Sequence, residues 1–224
     1  MKWYWLIVSC LFMFNQLNAQ EAANAESTRY LEDQIYLSLT YNILSNKPSN
    51  ISQNGFSGGV SFGFIKDIPL NIEGNFGIGI GIGYSYNAYI QNLKITEESQ
   101  TTLFDIAQDY TTNRFGISAL ELPFELRWRN STLEKYRFWR VYGGFKVSYM
   151  LVAKSTYKDN LETITTKNVD EFDKIQYGLT LATGFSTWNL YVYYGLNSIF
   201  KKGDLNGTAL NLKDFNVGLK FYIM

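Results

Sequence analysis

The chain has 224 residues, with 20 Lys plus Arg against 20 Asp plus Glu, one cysteine and no histidine. These counts exclude Ser-His and Cys-His nucleophiles, imidazole-ligated metals, imidazole pH switches and any disulfide framework within the chain. Charged residues make up only 18%, against roughly 25% in an ordinary soluble domain, and their balance leaves no electrostatic footprint for nucleic acid.

Residues 1–19 read as a signal peptide. Lys2 precedes an apolar run over 3–14, and a short polar stretch ends at the small residue Ala19. The run is too short for a bilayer-spanning helix, which needs about 20 apolar residues. Ala23-Asn24-Ala25 offers a second cleavage tripeptide farther along. A lipoprotein signal at Cys10 would split the apolar run in its middle. Residues 20–32 then form a short periplasmic N-terminal segment, and residues 33–224 form the folded domain.

From residue 35 onward the pattern has period two, the mark of strands with two unlike faces. The first strand, 35–43, places Ile35, Leu37, Leu39, Tyr41 and Ile43 on one face, and the second, 56–64, places Phe56, Val60, Phe62 and Phe64. The third, 76–86, alternates Ile and aromatic residues with a glycine run, Gly77, Gly79, Gly81 and Gly83. A fourth covers 120–128, a fifth 139–151, a sixth 175–185, a seventh 190–196 and an eighth 215–223. Eight such segments predict an all-β fold, an eight-stranded antiparallel transmembrane β-barrel of the up-and-down, outer-membrane type.

The connections alternate in length. A tight segment at Lys66-Asp67-Ile68-Pro69 follows the second strand, a short connection spans 130–137, and the shortest lies at Ser186-Thr187. Long loops occupy 91–114 and 156–172, and a turn-rich loop 201–210. Short turns on one rim and long loops on the other place both termini on the periplasmic side of an outer membrane.

A lipocalin-type barrel would carry its apolar set inside. Here the alternate set is rich in Gly, Ser, Thr and Asn, which suits a narrow interior and makes a poor water-facing surface. Trp128, Trp139 and Trp188 fall at short-turn ends of strands, and Tyr41, Tyr84, Tyr149 and Tyr194 toward the opposite ends. Two aromatic belts fit the two interfaces of a bilayer, so outer-membrane lipid is an expected partner.

On the inner face, parity gathers Glu121, Glu125, Arg127, Arg129, Arg140 and Lys146, with Tyr142, Asn216 and Lys220 as neighbours. Charges in a narrow interior must pair. The set reads as a charged plug, because eight strands leave room for little more than side chains; the rival reading is an ion path. No nucleophile or cleft accompanies the glutamates, so the expectation is a non-enzymatic protein without cofactor. The glycine run lacks dinucleotide-fingerprint spacing and is read as a strand admitting another group on the lumen side. Glu97, Glu98, Asp105, Asp109, Asp159, Glu162, Asp170, Glu171 and Asp173 enrich the long loops in acid, but without calcium-loop spacing they read as solvated and no metal is expected.

The stretches EDQIYLSLTYNIL, GFSGGVSFGFIKDIPL, ALELPFELRWRNS and RFWRVYGGFKVSY resemble the PorT-like family of outer-membrane barrels from Bacteroidota. Glu121-Leu122-Pro123-Phe124 is the most characteristic piece, and the likeness covers most of 33–224. The resemblance implies an accessory role in an outer-membrane protein export or assembly complex of the type IX secretion kind, with other outer-membrane proteins as partners. It transfers no catalytic residue. A stand-alone narrow pore for ions or small solutes is the alternative.

Overall fold

The computed structural model describes residues 33–98, 101–130 and 138–223. The signal peptide expected over 1–19 and the segment 20–32 lie outside the described residues.

In chain order the strands are β1 (Gln34–Ser45), β2 (Gly58–Pro69), β3 (Phe76–Ile90), β4 (Leu93–Glu98), β5 (Thr101–Ile106), β6 (Thr112–Arg129), β7 (Trp139–Lys158), β8 (Thr163–Lys167), β9 (Ile175–Phe185), β10 (Trp188–Gly195), β11 (Asp204–Leu205), β12 (Thr208–Ala209) and β13 (Lys213–Ile223). Eight of them make the wall, in the order β6-β3-β2-β1-β13-β10-β9-β7, and the β6–β7 pairing closes the ring. Every wall pairing is antiparallel. Closure leaves no edge whose N–H and C=O groups would lie unpaired in lipid.

The side chains are sorted in the reverse of a soluble protein. Ile35, Leu39, Phe62, Ile82, Leu122, Leu126, Leu179 and Leu190 are exposed on the outer face, whereas Tyr36, Ser38, Asn42, Glu121, Glu125 and Asn189 are buried inside. An apolar surface that runs around the whole wall far exceeds the patches a monomer in water tolerates. Its natural solvent is lipid.

On the long-loop side, three strands extend at least four residues farther than the alternation predicts. β3 runs on to Ile90, β6 starts at Thr112, and β7 continues to Lys158. On the β6 and β7 extensions most outward positions turn polar, which ends the apolar signal while the pairing continues from Leu120↔Tyr149 up to Thr112↔Lys158. A bulge in β7 beside Ser118/Ala119 leaves Leu151 and Val152 both exposed and exchanges the parity of β7 above it. The long loops also fold: β4 and β5 form a hairpin, β8 pairs with the β7 extension, and β11 pairs with β12.

The tight segment expected at Lys66–Pro69 is strand instead, with the turn displaced to 70–75. Gly74 takes a positive φ of 72° there, and Asn71 Oδ1 accepts the Phe76 N–H at 3.1 Å.

Candidate functional site

The lumen is filled by one interlocked set of side chains from opposite parts of the wall. Tyr36 on β1 donates its hydroxyl to Glu121 Oε1 on β6 at 2.7 Å, and Lys146 Nζ reaches Glu121 Oε2 at 2.9 Å. Glu125 accepts Lys220 Nζ at 2.8 Å and the Tyr222 hydroxyl at 2.9 Å on Oε1. Its Oε2 accepts Arg127 Nη2 at 3.1 Å. Asp67 joins two guanidiniums, Arg127 Nη1 at 2.9 Å and Arg129 Nη2 at 2.7 Å, with side chains fully buried. Arg129 Nε also donates to the Gly74 carbonyl at 2.7 Å. Each carboxylate thus satisfies more than one donor, the condition under which charges persist away from water.

Aromatic rings complete the packing. Lys146 sits 4.5 Å over the Tyr193 ring, Lys220 4.5 Å over Tyr36 and Arg127 4.8 Å over Tyr142, so the negative ring faces share in solvating the cations.

The glycine run gives this network its room. Tyr36 lies in one cross-strand row with Gly63, Gly83 and Glu121. A Cβ on Gly83 would collide with the Tyr36 hydroxyl, and one on Gly79 with the Arg127 guanidinium. These bare positions let two long side chains lie flat against the inner wall and reach their carboxylates.

Of the six charged residues singled out by parity, Glu121, Glu125, Arg127, Arg129 and Lys146 meet in ion pairs. Arg140 is also buried inside, yet it enters no ion pair among the described residues, and its Nε and Nη1 have no hydrogen-bond partner. Its guanidinium lies 4.5 Å from the Phe138 ring and 5.8 Å from that of Tyr222. Directly across from it stands Arg129, which has taken the nearby carboxylate of Asp67. Asp67 and the lumen tyrosines 36, 191, 193 and 222 are not among the residues expected to form the network. Asp67 continues the odd-numbered inner set Gly59, Ser61, Gly63, but Ile65 inside and Lys66 outside interrupt the contrast between the faces.

Trp128, Trp139 and Trp188 occupy one rim, linked by Trp128↔Val141, Trp139↔Phe185 and Trp188↔Phe185. Trp188 meets the Phe221 ring edge-on at 4.8 Å, and Trp139 meets Phe185 at 5.7 Å. Tyr84 and Tyr149 flank Leu120 near the other rim, and Tyr41 and Tyr194 lie across from Val217 and Phe215 on β13.

Above the charged lumen the character changes. The extended strands and the long loops share a second core, which includes Leu93, Ile95, Phe115, Phe172, Phe200 and Leu212. The tilted rings of Phe172 and Phe200 lie 4.8 Å apart, and Phe104 meets Phe200 edge-on at 5.3 Å. Polar ties close this cap: Thr102 Oγ1 donates to Glu171 Oε2 at 2.6 Å, and Thr166 Oγ1 to the Ile95 carbonyl at 3.2 Å. At the β7–β8 turn, the backbone N–H groups of Glu162 and Leu161, with the Tyr157 hydroxyl, hold the Asp159 carboxyl below its usual range. Several loop acids read as solvated are therefore structural, and among the described residues no group of three or more gathers as a metal site. Between lumen and cap lies a cavity of about 30 Å³, lined by Ser85, Asn87, Lys146, Ser148, Tyr193 and Asp214 among others, large enough and polar enough to hold a water.

A family model agrees with the architecture. Residues 18–201 match the family described as outer membrane protein beta-barrel domain. Among solved structures, the chain is similar to Ail, the attachment invasion locus protein of Yersinia pestis. That match has 10% identity and a TM-score of 0.31, and covers 84% of this chain and 97% of that one. No curated protein matches the sequence. With eight paired strands, an apolar exterior and a match across most of its length, the chain belongs to the outer membrane protein β-barrel domain family.

Proposed function

We propose that this barrel is a non-enzymatic structural or accessory subunit of an outer-membrane protein export or assembly complex, with both termini in the periplasm. Its resemblance to the PorT-like family points to machinery of the type IX secretion kind. The observation that carries the reading is the filled lumen: interlocked ion pairs and a folded apolar cap leave the interior no transport task, so function falls to the outer surfaces. Exposed apolar side chains stand at both rims, with Phe56 and Leu161 on the long-loop side and Leu70 and Ile72 on the short-turn side, and suit contacts with neighbouring proteins.

The test is purification of the tagged protein from native membranes in mild detergent, followed by mass spectrometry. Stoichiometric outer-membrane partners are expected, and a clean monomer overturns the proposal. The alternative, a stand-alone pore, requires the network to part. Planar-bilayer recording separates the two, since a plugged barrel stays silent.

A further inference from the structure

Above the apolar band, the outer face of β6, β7 and β8 carries Arg114, Lys154, Lys158 and Lys167, all exposed. None of the four enters an ion pair among the described residues. Cross-strand pairing places Lys154 opposite Gly116 on one side and opposite Lys167 on the other. Like charges directly opposite repel, and no carboxylate stands between them: the other outward positions of these segments are Thr112, Gly116, Ser118, Val152, Thr156, Thr163 and Thr165.

This surface contains a cleft of about 200 Å³, lined by Tyr86, Arg114, Gly116, Ser118, Lys154 and Thr156, with Val152 at its edge. Gly116 is its floor, and a Cβ there would come within 2.7 Å of the Tyr86 hydroxyl. The cleft thus offers two cations and up to three hydroxyls over bare backbone, a donor set with no acid in it.

Its height on the barrel identifies the ligand. From Trp128 up to Ser118 the wall runs about ten residues, roughly 33 Å of strand at about 3.3 Å each. A tilt of about 40° reduces this to about 25 Å, the height of an outer-membrane barrel's apolar band. Tyr86, Ser118 and Val152 therefore mark the top of the hydrocarbon, and Arg114 and Lys154 stand at the level of the lipid headgroups. Leu120, Tyr149 and Leu151, exposed just below, provide the apolar wall along which acyl chains lie.

We propose that this cleft binds the phosphate-bearing headgroup of a membrane lipid at the long-loop rim, with Arg114 and Lys154 as the cationic clamp. Phosphate recognition by paired cations and hydroxyls relieves the unpaired charge, and occupancy fixes the barrel's depth and rotation in its leaflet. The proposal rests on the membrane assignment alone and stands whether or not the barrel joins a complex.

The test is native mass spectrometry of the full-length mature protein in detergent, titrated with diphosphorylated lipid A, the same lipid stripped of phosphate, or inorganic phosphate. The double variant Arg114→Gln/Lys154→Gln is compared with Lys201→Gln/Lys202→Gln, which removes equal charge from the cap. Heat-modifiable mobility checks that each barrel is folded. The expected result is about thirtyfold weaker binding of the phosphorylated lipid by the cleft variant, the loss of two interfacial cations, with the cap variant unchanged. Equal losses in both variants, equal binding of the stripped lipid, or full competition by inorganic phosphate at matched concentration would overturn it.

Discussion

The barrel lumen and the cap above it are built by the same strands and obey opposite rules. On β6, Leu120, Leu122 and Leu126 face outward while Glu121 and Glu125 face inward; a few residues earlier, Arg114 faces outward while Phe115 and Ile117 face inward. β6 keeps its alternation and its register with β3 in both, although β7 bulges beside Ser118/Ala119 where they meet. What changes is the solvent outside the wall. Against lipid the apolar face turns out and the interior keeps the polar groups, which must satisfy one another; against water the usual order returns. The lumen therefore depends on paired charges and the cap on buried apolar area.

The most forceful way to break this contrast is to unpair the lumen. Glu125→Gln leaves Lys220 and Arg127 short of a counter-charge in a dry interior, where loss of one member of a buried pair costs about 3–5 kcal/mol. The expected outcome is a markedly lower urea midpoint for the barrel in lipid vesicles, read from its heat-modifiable band. Wild-type stability in this variant would mean that water reaches the network.

The cap should respond locally. Phe172→Ala removes a ring packed on Phe115 and Phe200, a deletion worth about 3 kcal/mol. Proteolysis of the loops in 156–172 and 201–210 is expected to accelerate by about two orders of magnitude, with the barrel's urea midpoint unmoved. A fall in that midpoint would show that cap and lumen unfold as one unit.

Between these regions lies the space cleared by glycine. Gly83→Val places a branched side chain where the Tyr36 hydroxyl reaches Glu121, and overpacking of this kind costs about 2 kcal/mol. The variant paired with Tyr36→Phe should recover part of the loss, since the colliding hydroxyl is gone. No recovery would place the strain in the backbone of β2, whose Phe62 carbonyl also lies close.

The sequence exposed these regions unequally for a physical reason. Within the bilayer the two faces of a strand meet lipid and a polar interior, so alternation is strong, and Ile35, Leu37 and Leu39 against Tyr36 and Ser38 identify a wall strand from one segment. Above it, both solvents are weaker discriminators: Leu93 and Ile95 alternate for only one short strand, and Phe172, Ile199, Phe200 and Leu212 are scattered singly through loops. Their partners are distant in sequence, and only closure of the ring brings them together. The inner-face charges follow from parity, yet parity does not say which carboxylate takes which cation. Asp67 captures Arg129 because the strand runs past Lys66 to Pro69, and Arg140, opposite that pair, is left to aromatic rings.

Lys66 and Asp67, neighbours on β2 that point to opposite sides of the wall, reduce the comparison to two residues. Asp67 holds two buried guanidiniums; Lys66 pairs with Asp33 at 2.7 Å, with side chains 56% and 35% exposed. Lys66→Ala is expected to cost less than about 1 kcal/mol, as exposed ion pairs do, and less still in high salt. Burial by itself pushes the Asp33 carboxyl up, but the hydrogen bonds from Lys66 and from the Asp67 N–H, with the charge of Lys66, more than offset this and leave it below 3.8. A carboxyl lowered in the folded state contributes stability that is fully present above its unfolded value, about 3.9, and is lost as pH falls through the lower folded value. The difference between wild type and Lys66→Ala should therefore hold from neutral pH down to about 4 and vanish below it. A difference that persists in acid would trace to packing of the lysine stem instead of to the ion pair.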